Sequence, residues 1–197
     1  MAENNTSPLI NVRNFNIHKL TEDTKEATTY EAGKYLAEII ALTMTPQLAE
    51  GELFADGYQT DSLSAVTAID ISLNVRGLDP AQQAELLNYE TNEAGLVTVT
   101  GSPRPAYFGA TFEAERSDGS WEYFVIYKLK FSPITKEFGT KGSSIDFKTP
   151  NVAGKSLALR KLTPENDTQF YSHILGSEEN AAITSVWHDA PAFLTTP

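Results

Sequence analysis

The residues of this chain best placed to do chemistry are three carboxylates. Glu113 and Glu115 end the run Ala106-Tyr-Phe-Gly-Ala-Thr-Phe-Glu-Ala-Glu115, which alternates like a strand, and a spacing of two puts both side chains on one face. Asp118-Gly119 follows, a dipeptide that favours a two-residue hairpin turn. From Trp121 to Phe131 every odd position is apolar, the pattern of a strand with one buried face. If Ser117 faces Ser120, then Phe112 faces Val125, Ala110 faces Tyr127, Phe108 faces Leu129 and Ala106 faces Phe131. Small residues then oppose large ones, and Glu122 lies opposite Glu115 and diagonal to Glu113. Paired carboxylates are the machinery of glycoside hydrolysis. No cleft-forming or sugar-stacking partner accompanies this set, and Trp121 and Tyr123 read more simply as core. A solvated acidic face near a hairpin tip is the plainer account. Like charges directly opposite cost up to about 1 kcal/mol; a chain keeps such a pair by accident, to bring in a cation, or because an acidic patch is useful.

Other chemistries find no foothold. His18, His173 and His188 lie far apart with no metal-ligand spacing and read as surface or capping residues. Cysteine is absent, which excludes disulfides, thiolate catalysis and thiolate zinc sites. Neither a G-x-S-x-G elbow nor a G-x-G-x-x-G loop occurs. Thr140-Lys-Gly-Ser-Ser144 places Lys before Gly, the reverse of a phosphate-binding loop, and reads as a turn before a strand. No cofactor and no metal are expected, and the chain is not expected to be an enzyme.

The elements that position these residues are mostly strands. The chain has 197 residues, 41% apolar and 10% aromatic, enough for one domain with a core. Its formal net charge of −11 makes it a poor candidate for gripping nucleic-acid phosphates, although it could still guide DNA by repelling it. No basic stretch followed by an apolar run marks a signal peptide, and Ile39-Ile-Ala-Leu42 is too short to cross a bilayer. Residues 1–9 read as a flexible polar arm, 10–19 as a short strand, 20–34 as a polar loop or hairpin tip, and 35–49 as a long strand. Residues 46–62 read as a loop interrupted by Leu53-Phe54. Ile69, Ile71, Leu73 and Val75 alternate with Asp70, Ser72, Asn74 and Arg76, a strand whose polar face sees solvent or another subunit. One helix is signalled: Asp79 caps it, Pro80 takes its first position, Gln82 completes a capping box, and Ala81 to Asn88 favour helix. Residues 144–149 and 155–160 read as further strands. The stretch 161–197 carries a short helix at Glu178–Ala182 and an apolar end, an arm packing on its own subunit or on a neighbour. The organisation is thus 1–9 arm, 10–160 β-domain, 161–197 C-terminal extension.

Tyr127-Lys-x-Lys-Phe-Ser-Pro133, Thr140-Lys-Gly142, Ile145-x-Phe-x-Thr-Pro150 and Gly154 together resemble the major tail tube protein of long non-contractile-tailed phages of Gram-positive bacteria, the siphophage major tail protein family. Leu53-Phe-Ala-Asp-Gly57 is similar to that family's aromatic-Ala-Asp-Asp/Gly turn. Ile69-x-Ile-x-Leu-x-Val75 with Leu78 and Pro80 is similar to its strand-then-helix unit, and Ala106–Phe112 with Ser117-Asp-Gly119 to its C-terminal hairpin. The resemblance spans most of 10–160; segments 20–34 and 161–197 depart from it.

That resemblance implies a mainly-β (α+β) fold, a β-sandwich or split barrel with one flanking α-helix. It implies hexameric rings stacked into the tail tube that delivers dsDNA to the host, assembled in the bacterial cytoplasm and resident in the virion tail. Partners would be copies of itself, the tape measure, tail terminator and distal tail proteins, and transiently passing dsDNA, with no membrane. Leu53, Phe54, Asp56 and Tyr58 would form a ring-stacking loop, and Glu113, Glu115 and Glu122 an acidic patch facing the lumen or an interface. The alternatives are a tail-completion or adaptor ring of the same fold, or a monomeric β-sandwich glycan-binding module. Negative-stain microscopy of the purified protein separates them. Tubes are expected for the first, isolated rings or particles for the second, and a strictly monomeric folded protein at every concentration would sink the tube assignment.

Overall fold

The computed structural model describes residues 6–102, 104–140, 147–191 and 193. The expectations for residues 1–5, for the Lys-Gly-Ser-Ser-Ile-Asp part of the motif at 141–146 and for most of 192–197 lie outside that set. Strands come first: β1 (Leu9–Asp23), β2 (Thr28–Tyr30), β3 (Lys34–Ala37), β4 (Ile39–Ala55) and β5 (Tyr58–Val75). Helix α1 (Pro80–Leu87) and the small pair β6 (Glu90–Thr91) and β7 (Val97–Thr98) follow. The hairpin β8 (Phe108–Arg116) and β9 (Trp121–Phe131), then β10 (Asn151–Ser156), β11 (Tyr171–Leu175) and α2 (Ala181–Thr184) complete the described chain. The mainly-β expectation with a flanking helix is what the chain adopts, with α2 as a second helix of four residues.

Among the described residues, nine strands form one sheet in the order β2-β1-β8-β9-β10-β5-β4, with β3 beside β1 and β11 beside β9. Only Glu38 separates β3, paired with β1, from β4, paired with β5. These are the two ends of the strand order, so the sheet curls until its ends meet. Past that closure β1 and β4 diverge. An apolar cleft of about 440 Å³ opens between Leu9, Ile10 and Val12 on one wall and Ile40, Leu42 and Met44 on the other. The barrel is split there.

Its core is built from the alternation visible in the sequence. Ile69, Ile71, Leu73 and Val75 of β5 pack with Phe15 and Ile17 of β1 and with Phe108, Ala110 and Phe112 of β8. Helix α1 adds Leu86 and Leu87 to the same core. Its start is as expected: Gln82 N donates to Asp79 Oδ1 at 2.7 Å, and Asp79 N donates to Gln82 Oε1 at 2.9 Å, a reciprocal capping box. The helix ends at Asn88, whose φ of 53° stops it.

β9 departs from the sequence reading. Ala110 faces Ile126 and Phe108 faces Leu129, so Tyr127 and Lys128 together oppose Gly109. An extra residue on one strand reverses the phase of the pleat. Ile126 before the bulge, and Leu129 and Phe131 after it, therefore all face the barrel core, while Val125 and Tyr127 face the other way. The single apolar face expected from Trp121 to Phe131 is thus shared between two cores.

The second core lies on the outer face of the β8–β9 hairpin. Val125 and Tyr127 pack there with Leu159 and Trp187, and Tyr123, Ile174 and Phe193 border them. Trp187 Nε1 donates to Phe124 O at 2.9 Å, and Phe193 stacks on Tyr127 with ring centroids 5.1 Å apart. The described part of 161–197 therefore packs on its own subunit, and β11 lies in the main sheet. Removing a buried Trp costs about 3–5 kcal/mol. Trp187→Ala should lose that much stability in equilibrium urea unfolding; a loss under about 1 kcal/mol would mean that the outer core does not stabilise the subunit.

Candidate functional site

The stretch expected to be a loop at 46–62 is instead the far end of a continuous β4–β5 ladder. Pairing runs without interruption of strand from Ile39 opposite Val75 to Ala55 opposite Tyr58. Asp56 and Gly57 form the two-residue turn with φ of 51° and 82°. Two positive φ values are what a type I′ hairpin turn requires; Asp tolerates that region and Gly has no Cβ to clash. The aromatic-Ala-Asp-Gly motif is therefore the tip of a hairpin.

From 45 to 67 every residue is exposed. The eight residues from Leu48 to Ala55 carry the hairpin about 25 Å beyond the body, at roughly 3.3 Å per residue. Register assigns its faces. Ala49, Gly51, Leu53 and Ala55 share one with Tyr58, Asp61, Leu63 and Ala65. Leu48, Glu50, Glu52 and Phe54 share the other with Gln59, Ser62, Ser64 and Val66. Leu53 and Phe54 are 61% exposed, Leu63 75% and Tyr58 77%. Of the expected stacking residues, Leu53 and Tyr58 thus lie on one face, Phe54 on the other and Asp56 at the tip. Leu48, Leu63 and Val66 belong to the same surface and were missed. The Asp-Gly signal at 56–57 between strand-forming stretches could have found them.

The three glutamates do not form one patch. The turn after β8 is a three-residue loop: Gly119 N donates to Arg116 O and Arg116 N to Ser120 O, each at 2.9 Å, with Gly119 at φ 85°. This is a type I turn closed by a glycine bulge. Register therefore shifts by one from the two-residue expectation: Glu115 faces Trp121, Glu113 faces Tyr123 and Glu122 faces Ala114. Phe112 faces Phe124, and Ala110 faces Ile126. A one-residue slip exchanges faces, so Glu122 shares the barrel side with Ala114 and Phe112, while Glu113 lies on the outer side. Both are only 5% exposed. Glu122 is held by Arg116 and by His173 Nδ1. Glu115 is half-buried and accepts from Asn11 Nδ2 at 3.1 Å. Asp70, expected to face solvent or a subunit, pairs within its own chain with Gln47 Nε2 at 2.8 Å and Lys155 Nζ at 3.5 Å.

Glu113 anchors a polar chain that sequence reasoning did not anticipate. It accepts from Arg13 Nε at 2.8 Å, His188 Nε2 at 2.8 Å and Asn14 Nδ2 at 3.1 Å. His188 Nδ1 lies 3.0 Å from Thr111 Oγ1, which lies 3.1 Å from His18 Nε2. One proton order satisfies all three links: His18 Nε2–H donates to Thr111, the Thr111 hydroxyl donates to His188 Nδ1, and His188 Nε2–H donates to the Glu113 carboxylate. His18 and Thr111 are fully buried, which corrects the reading of His18 as a surface or capping residue and leaves the hydroxyl closed to substrate. The chain ties β1 and β8 to the C-terminal segment. Among the described residues, no group of three or more His, Asp and Glu could hold a metal ion, and no helix is long and apolar enough to cross a membrane.

No family model matches this chain, and no curated protein matches it. Among solved structures it is similar to a chain of the anti-feeding prophage baseplate, determined by cryo-EM and six-fold symmetrised. The superposition covers 86% of this chain and 97% of that one, with a TM-score of 0.37 and 10% identity. A likeness of that size supports no conclusion about function.

The buried polar chain has a pH signature. Burial, and next the charge of His188, push the His18 pKa down to about 4 from 6.5. Burial alone would raise Glu113, but hydrogen bonds from His188, Arg13 and Asn14 outweigh it and hold the carboxyl at about 2. Both folded values are depressed, so the unfolded chain binds protons first and stability is lost as pH falls. The His18 part should be lost between pH 6.5 and about 4, and the Glu113 part below 4.5. Urea midpoints measured across that range should fall more steeply for the native chain than for His18→Gln between pH 6.5 and 4. Equal slopes would show that His18 is not held neutral by the fold.

Proposed function

We propose that this chain is a structural virion protein of the phage-tail class, without catalytic activity. Copies assemble into stacked hexameric rings that form the tail tube through which dsDNA passes. The observation that carries this reading is the β4–β5 arm. An isolated two-stranded hairpin is marginally stable at best in water, and this one shows Leu53, Phe54, Tyr58 and Leu63 to solvent. Exposed apolar surface on a long projecting element marks a binding surface. The order and spacing of the tube-protein motifs supports the same reading, and one of them is the arm's tip.

Magnitudes favour repeated contacts over a single pair. Burying one large apolar side chain stabilises by about 1.5–3 kcal/mol, while association costs about 4–15 kcal/mol in lost freedom. Four such side chains on one arm leave an isolated pair weak. A closed ring or stacked tube, in which every subunit both gives and receives an arm, turns later contacts into intramolecular ones. The buried Glu113 and Glu122 give no surface charge to a bore, so the assembly reading does not rest on them.

Shortening the arm symmetrically, by removing 49–54 together with 59–65 and keeping the Asp56-Gly57 turn, should leave a folded monomer. Far-ultraviolet circular dichroism should stay strand-rich, while sedimentation and negative-stain microscopy should show neither rings nor tubes. Normal assembly of the shortened chain would remove the arm from the interface.

A further inference from the structure

Charge is distributed very unevenly along this chain. Between Lys128 and Lys161 there are eight basic and two acidic residues, whereas the rest of the chain has seven basic and twenty-four acidic ones. The basic segment forms the end of β9, the connection after it, and β10. Lys130 and Lys155 are directly opposite on β9 and β10, and like charges so placed repel. Lys128 and Lys130 both stand over the Tyr107 ring, at 5.0 Å and 5.4 Å from its centroid. Lys128 is matched by Asp23 and Lys155 loosely by Asp70; Lys130 forms no ion pair among the described residues. Arg160 adds a further cation close by, its backbone N donating to Asp23 Oδ1 at 2.9 Å. Lys128 is largely buried against Asp23, so the strip of positive charge offered on the outer face is that of the opposed Lys130 and Lys155.

The arm is its complement. Residues 48–66 carry Glu50, Glu52, Asp56 and Asp61 and no basic residue. The same chain's arm does not reach its own strip. Glu50 is opposite Ser64 while Lys155 is opposite Asp70, and the six residue steps along β5 from Ser64 to Asp70 span about 20 Å. We infer that the strip formed by Lys130 and Lys155 is the docking surface for the acidic β4–β5 arm of a second copy of this chain. The arm supplies carboxylates from its Glu50 and Glu52 face, and one of them relieves the repulsion between Lys130 and Lys155. Its other face, with Leu53, Tyr58 and Leu63, stays available to a further subunit. Contacts of this kind set register and partner choice and weaken with salt.

This inference rests on the arm being the assembly element, and a charge-swap experiment separates the two. Glu50→Lys with Glu52→Lys forms the arm variant, and Lys130→Glu with Lys155→Glu the strip variant. Because Lys155→Glu would confront Asp70, Lys130→Glu alone is carried as a second strip variant. Circular dichroism and thermal midpoints confirm that each is folded. Each variant alone should need at least about tenfold more protein to assemble, and the gap should narrow at high salt. An equimolar mixture of arm and strip variants should assemble at close to the native concentration, because opposite charges then meet again. If the native chain forms neither rings nor tubes, the proposed function falls and this inference with it; if the arm-shortened chain still assembles, the arm is not the assembly element and this inference alone is overturned. If shortening blocks assembly but the strip variants assemble normally, or the mixture stays unassembled, only this inference is overturned. Strip variants that assemble normally but no longer retain a double-stranded DNA oligonucleotide bound by the native assembly would also overturn it, assigning the strip to nucleic acid.

Discussion

Most of this subunit hangs on β9 and on the hydrogen-bonding capacity of its two edges. A strand can satisfy its backbone only by finding partners on both sides or by facing water. β9 pairs with β8 along one edge, while β11 and β10 divide the other, at Glu122–Ile126 and at Leu129–Phe131. The bulge at Tyr127–Lys128 lies where one partner gives way to the next. Because it reverses the pleat, one strand packs Ile126, Leu129 and Phe131 into the barrel and Val125 and Tyr127 into the outer core. Gly109 makes room for this: a Cβ there would meet Pro191 Cγ and Tyr30 Cε1 at 2.9 Å. The C-terminal segment is thereby drawn onto the sheet as a second layer.

Against that doubly paired strand, β4 is the opposite case. One edge is paired with β5 along its whole length, and among the described residues the other has no strand partner. Sheet edges and exposed apolar residues are liabilities for a lone protein. The arm combines the two: β4 has a free edge there, and Leu48, Leu53, Phe54, Tyr58, Leu63 and Val66 are exposed, while further exposed apolar residues such as Phe138 and Phe147 lie elsewhere. The body carries two cores and a buried polar chain, and the arm carries a run of exposed apolar residues.

The buried polar residues make the division sharper. Glu113, Thr111, His18 and His188 combine residue types that elsewhere perform catalysis, yet every link joins one part of the body to another. A buried carboxylate with three donors is costly to break, since removing a partner leaves a charge without compensation. Its role here is to hold β1, β8 and the C-terminal segment in one arrangement. The acidity of the chain is therefore of two kinds: carboxylates consumed inside the fold, such as Glu113 and Glu122, and carboxylates displayed on the arm.

Local patterning determined what depends on neighbours in sequence. The alternation of Ile69 to Val75, the capping box at Asp79 and Gln82, and the mainly-β class all follow from periodicity and short-range hydrogen bonding. Those interactions span a few residues and are the same in any context. Hairpin turns sat at the margin of legibility. Asp-Gly at 56–57 makes a two-residue turn and Asp-Gly at 118–119 a three-residue one, because the second is closed through Arg116 and Ser120, and the dipeptide alone does not distinguish them. That single residue of register decided which glutamates share a face. Only the tertiary structure could decide it, as it decided the bulge in β9, the burial of His18 and the split of one apolar stripe between two cores. Each depends on contacts between residues far apart in sequence: Gly109 with Pro191, Thr111 with His188, Glu122 with His173. The arm shows the same limit from the other side. Its composition is readable residue by residue, but that it stands away from the body, exposed on both faces, follows from where β10 stops, at Ser156 opposite Ile69, and leaves β4 and β5 to continue alone.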